Sequence, residues 1–161
     1  MKTQKGFSLI ELLIVVAIIL IIAAIAIPNL LRARMAANES SAVGSTRTIN
    51  TAEVTYNSTF PTVGFTATLA NLGGTASPCV AATNSACLID SVLSGGTKGG
   101  YLFTMGTGST TGTPQPSYNV FAAPQIPNQT GVRNFCSFED AVVRYSTASL
   151  SACDTTVAPL Q

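Results

Sequence analysis

Histidine is absent from the 161 residues, which removes the commonest general base and the commonest metal ligand from any chemistry the chain could perform. Charge is scarce as well: Asp, Glu, Lys and Arg together make up 9% of the sequence, against roughly 25% in ordinary soluble domains. The basic residues Lys2, Lys5, Arg32, Arg34, Arg47, Lys98, Arg133 and Arg144 are scattered. They form no basic stripe beyond Arg32 and Arg34, so nucleic acid is not expected as a main partner. No cysteines are spaced C-x-x-C, and the G-x-S-x-G pattern of a serine nucleophile is missing. Acidic side chains are few, and Glu139, Asp140 and Asp154 sit in no ligand-rich calcium loop. These absences weigh against an enzyme: no catalytic residue, no metal and no cofactor is expected.

What the sequence does have is concentrated apolar character. Hydrophobic residues make up 47%, and they are densest from Phe7 to Ile27, behind the short basic stretch Met1–Gly6 with Lys2 and Lys5. A membrane-spanning helix needs about 20 mostly apolar residues, and this run is long enough. Three readings compete. An ordinary signal peptide would be removed after the apolar core, and Ala24-Ile25-Ala26 resembles such a cleavage site, but the run exceeds the usual signal core of roughly 7–15 residues. A plain membrane anchor is the second. The third is an assembly segment cut before the apolar run. Glu11 separates them, because a carboxylate in a spanning helix costs about 2.5–3.5 kcal/mol at mid-membrane, less near an end, and neither a signal core nor a plain anchor has a use for it.

The stretch Lys5-Gly6-Phe7-Ser8-Leu9-Ile10-Glu11-Leu12-Leu13 resembles the prepilin cleavage and methylation motif of type IV pilins and type II secretion pseudopilins. The resemblance covers about the first 30 residues. In it Gly6 matches the residue before the cut, Phe7 the new, N-methylated terminus, and Glu11 the acidic fifth residue of the mature chain. Pro28 falls where many pilins carry a helix-interrupting proline. The implied organisation is a leader over 1–6, a transmembrane and assembly helix over 7–28, and a globular head over 29–161. The implied life history is a single-pass inner-membrane precursor, oriented by Lys2 and Lys5. A prepilin peptidase then processes it, and an assembly ATPase with its platform protein builds it into a self-polymer, an extracellular filament on a bacterial surface. In that filament Glu11 pairs with the Phe7 amine of a neighbour. A type II secretion pseudopilin is the alternative within the same machinery; a membrane-anchored binding module or hydrolase is the alternative outside it.

From Asn29 to about Ser58 there is no proline and only Gly44, and Leu31, Met35, Ala42, Val43, Ile49 and Val54 form a loose helical stripe. One helix is therefore expected from Phe7 to near Asn57, about 75 Å long at 1.5 Å per residue, with Pro28 expected to kink or locally unwind it. Phe60-Pro61 ends it. Residues 62–100 read as a connecting region punctuated by paired glycines, with a short helix near 87–93. Strands are expected at Tyr101–Met105, Tyr118–Ala123, Arg133–Ser137 and Val142–Ser146. The fold class is α+β: a long N-terminal helix on a four-stranded antiparallel sheet, an order of elements similar to the pilin head. Cys79, Cys87, Cys136 and Cys153 make an even set, which in an exported chain reads as two disulfides. Proximity suggests Cys79 with Cys87 and Cys136 with Cys153, although four cysteines admit three connectivities; the pilin resemblance, with its C-terminal disulfide-bounded loop, implies the second of these pairs. Asn38, Asn57 and Asn128 each begin a glycosylation tripeptide of the kind that arises by chance in a Ser/Thr-rich chain.

Overall fold

The structure is a computed structural model and describes residues 7–74, 78–108 and 110–160. It divides into two compact units, one running to Arg34 and one from Met35. The leader residues Lys2, Lys5 and Gly6 lie outside the described residues.

The first unit is built on the start of α1, a 51-residue helix from Leu9 to Thr59. Its amino-terminal part is apolar all round, the pattern of a helix meant to be covered on every side. Leu9, Ile10, Leu13, Leu20, Ile22 and Ile25 are all exposed. Length and composition suffice for a membrane crossing. Pro28 lies inside α1, and the helix is continuous on both sides of it. The expected local unwinding is not present: proline removes only its own N–H, so the turns before and after it keep their bonds.

The second unit packs the rest of α1 with two four-residue helices, α2 (Leu69–Leu72) and α3 (Ser91–Ser94), and a five-stranded sheet. The strands are β1 (Thr97–Lys98), β2 (Tyr101–Gly106), β3 (Asn119–Pro124), β4 (Asn134–Phe138) and β5 (Arg144–Ser146), neighbours in chain order and antiparallel throughout. The architecture is α+β and pilin-like, with one strand more than expected. The additional β1 pairs with β2 across Gly99-Gly100, whose φ values of 59° and 76° suit the two-residue hairpin turn that only glycine enters freely. The helix expected near 87–93 is shorter and later, because the Asp90 carboxylate accepts the Leu93 N–H at 2.9 Å and fixes the start of α3.

Burial alternates along β3, with Val120, Ala122 and Pro124 turned inward. Ile49, Tyr56, Leu72, Leu93, Tyr101, Tyr118, Val120 and Phe135 form the centre of the core. Gly131 is required where it stands, since a Cβ there would collide with the Tyr101 hydroxyl and ring. The outer edge of β5 is covered by the C-terminal segment: Tyr145 N–H donates to the Ala158 carbonyl at 3.0 Å and Leu160 N–H to the Val143 carbonyl at 2.9 Å, which removes an open sheet edge.

Candidate functional site

Two regions carry the features a functional reading must explain. In the first, Ser8 precedes the first helical residue and Glu11 stands three places on, the spacing of a capping box. The Glu11 carboxylate accepts the Ser8 backbone N–H at 2.9 Å, and its negative charge in the first turn suits the helix dipole. Phe7 is almost wholly exposed. Glu11 thus has a local partner already in the single chain. The motif reading of Glu11 missed this capping role, and its signal was the Ser8-x-x-Glu11 spacing.

The second region is the face of α1 that meets the sheet. The expected stripe is partly wrong. Ala42, Val43 and Ile49 are buried, but Leu31 and Val54 are more than half exposed. The true face follows a seven-residue repeat: Glu39, Thr46 and Glu53 alternate with Ala42, Ile49 and Tyr56, all buried. The polar members pin the helix. Asn38 Nδ2 donates to the Thr130 carbonyl at 2.8 Å. Glu39 accepts the backbone N–H groups of Val132 and Arg133 at 2.9 and 3.2 Å and the Arg133 Nε at 2.7 Å. The Arg133 guanidinium also lies 5.5 Å from the Phe135 ring centre and 5.6 Å from that of Tyr145. Asn50 donates to the Ser137 hydroxyl and accepts the Tyr118 hydroxyl, at 2.9 and 3.1 Å. The Tyr56 hydroxyl donates to the Thr83 carbonyl at 2.7 Å.

Two carboxyls on this face titrate in opposite directions. Burial alone would raise Glu39, but the Val132 and Arg133 N–H groups and the guanidinium outweigh it and hold the carboxyl below its ordinary value. Glu53 is fully buried, and burial pushes it up to about 8 against a single opposing bond from the Thr66 N–H. Its other oxygen has no hydrogen-bond partner among the described residues.

Cys79 is bonded to Cys87, and Cys136, fully buried in β4, to Cys153. The Cys79–Cys87 loop is on the surface, whereas the second bridge ties the C-terminal segment to the sheet. Asn38 of the first glycosylation tripeptide is engaged with Thr130, while Asn128 is exposed in a turn at φ 63°. Among the described residues no group of three or more Cys, Asp or Glu side chains is arranged to hold a metal ion.

An all-round apolar helix opening on a capped acidic turn, followed by a helix-on-meander head, defines the architecture of a pilin-like protein. Residues 1–27 match the prokaryotic N-terminal methylation motif family. It is 65% identical over 40 residues to the type IV wide pilus major component PilA4 of Thermus thermophilus. That stretch covers 25% of this chain and 30% of the relative. No solved structure matches the chain.

Proposed function

We propose that the chain is a structural subunit of a type IV pilus, made as an inner-membrane precursor and polymerised after processing. The observation that carries this reading is the methylation motif over residues 1–27 joined to an apolar helix whose side chains are left uncovered. Uncovered Leu, Ile and Val side chains gain about 25 cal/mol for each Å² removed from water, and they need a lipid bilayer or the helices of other copies as cover. The motif resemblance supports a cut between Gly6 and Phe7 and a methyl group on the Phe7 amine. A prepilin peptidase is the matching processing partner, and an assembly ATPase with its platform protein the matching motor. Glu11 is the group suited to pair with the cationic Phe7 amine of a neighbour, because a carboxylate in an apolar fibre core is costly unless paired. Pro28 would give the helix a place to bend during packing. The reading is mechanical and involves no catalytic residue.

The test is the terminus of the assembled material. Intact-mass and N-terminal analysis of filaments should find a chain beginning at methylated Phe7, with the formal charge changed from +1 to −1 by loss of Lys2 and Lys5. Cleavage after Ala26, or an uncut chain in filaments, would overturn it.

A further inference from the structure

The second unit has so few charges that each can be followed. Its cations are Arg47, Lys98, Arg133 and Arg144, and its acids are Glu39, Glu53, Asp90, Glu139, Asp140 and Asp154. Three ion pairs use up six of these ten: Lys98 with Asp90, Arg133 with Glu39 and Arg144 with Asp140. Glu53 is fully buried. Arg47, Glu139 and Asp154 remain. All three are exposed, and none makes an ion pair among the described residues.

Their placement is not random. Arg47 stands on α1 between two adjoining hollows of about 400 and 390 Å³, the first reaching Val54 and Ala141, the second Arg133 and Leu160. The two leftover acids share a third hollow, of about 140 Å³, lined by Phe138, Glu139, Cys153 and Asp154. Both surfaces border the turn between β4 and β5: the turn gives Ala141 to the basic side and Glu139 to the acidic one, which Phe138 at the end of β4 also lines. Each surface combines a charge left out of the ion pairs with an apolar neighbour: Val54, more than half exposed, beside Arg47, and the partly exposed Phe138 beside Glu139. Asp154 already accepts the Thr156 N–H at 2.8 Å and the Thr156 hydroxyl at 2.5 Å, so Glu139 carries the open charge of the acidic side. Two complementary surfaces on one chain allow a heterologous contact, and such a contact repeats into an open helical array when its rotation does not close.

We propose that the head of each subunit docks on the next through this pair of surfaces, with Arg47 of one copy set into the Glu139–Asp154 hollow of a second copy. The inference rests on the filament-subunit reading above and names the head surface through which the copies meet. A single exposed ion pair contributes little. Its work here is in register: a misplaced neighbour sets like charges together, which repel, and the contact is repeated at every subunit.

The experiment uses the full-length chain in a host that assembles it, with Arg47→Glu, Glu139→Arg and the double reversal. Each single reversal is expected to lower filament yield about tenfold or more, and the double to return it to within about twofold of wild type. Thermal unfolding of the purified chains in detergent should be unchanged, because neither side chain has an ion-pair partner among the described residues of its own head. If a reversal does lower the melting temperature, Arg47→Gln and Glu139→Gln replace it, and their combined effect on yield must be smaller than the product of the single effects. Wild-type yields from both single variants, or a double no better than the singles, would overturn the docking while leaving the pilus reading intact. Absence of filaments from wild-type cells overturns the pilus reading and the docking with it.

Discussion

Among the described residues Glu53 is held in the core by one bond to its carboxyl, from the Thr66 N–H at 3.0 Å, and its second oxygen has none. A buried carboxylate with that little support is costly, so the native state keeps the proton. The consequence for stability has a definite sign. With an ordinary value of 4.5 and a folded value of about 8, the native state binds more protons than the unfolded chain between those limits. Stability from this group is therefore fully present below about pH 4.5 and declines until about pH 8. Tyr56 and Tyr118 are the titratable groups whose hydroxyls feel Glu53, and both are pushed up, by burial first and by Glu53 second. Glu39 works the other way: its lowered carboxyl contributes stability above its ordinary value, lost as the solution becomes more acid than the folded value. Glu53→Gln keeps the Thr66 bond and cannot ionise. Its unfolding free energy should exceed that of the wild type by on the order of 3 kcal/mol at pH 9, and by little at pH 5. Denaturant melts of both chains across that range check it; a wild type whose stability does not fall between pH 5 and 8 would remove the buried-proton account.

At the scale of elements, the sequence and the structure part company in instructive places. The long helix, its end at Phe60-Pro61 and the strands β2 to β5 were legible because apolar runs and turn residues mark them locally. β1 was not, since two residues carry no periodicity; its signal was the Gly99-Gly100 pair, the glycine pattern of a tight hairpin turn. The helix face differs from the apolar stripe because Glu39, Thr46, Asn50 and Glu53 are polar residues that a stripe of apolar positions leaves out, yet all four are buried. Their burial depends on partners far along the chain, such as Val132 and Ser137, which no local window contains. Anchoring the face on Ile49 and Tyr56 instead of Leu31 and Val54 would have recovered it. The last element, the C-terminal segment over the β5 edge, depends on the Cys136–Cys153 bridge, whose ends are 17 residues apart. A loop of that size is worth about 3 kcal/mol in the chain-entropy account. Replacing both cysteines by Ala should lower unfolding free energy by about that much and raise hydrogen exchange first at the Tyr145 and Leu160 amides, the two that tie the segment down. Unchanged exchange at those amides would show that the segment holds itself in place without the bridge.

For the whole molecule, the two ends of α1 solve different problems with the same carboxylic side chain. In the head, Glu39 and Glu53 fix which way the helix faces the sheet; near the amino terminus, Glu11 caps the first turn through the Ser8 N–H and is proposed to choose a neighbour. These roles can be separated. Glu11→Gln keeps a carbonyl oxygen able to accept the Ser8 N–H, so the helix should still start at Leu9. Membrane insertion should be at least as good as wild type, since a neutral amide is cheaper in lipid than a carboxylate. Cleavage after Gly6 should continue, because the cut precedes the helix, and melting of the head should not move, because its core and its polar contacts are made by other residues. What the substitution removes is the charge proposed to meet the Phe7 amine of the adjoining subunit; that amine would then be left unpaired among apolar side chains, a defect worth several kcal/mol at every junction. Processed subunit at wild-type level with filaments reduced by about 100-fold is the expected outcome, read by immunoblot of membranes and sheared filaments from the same cells. Normal filament yield with full processing would show that apolar packing alone sets the register, and that the acid serves only to cap the helix.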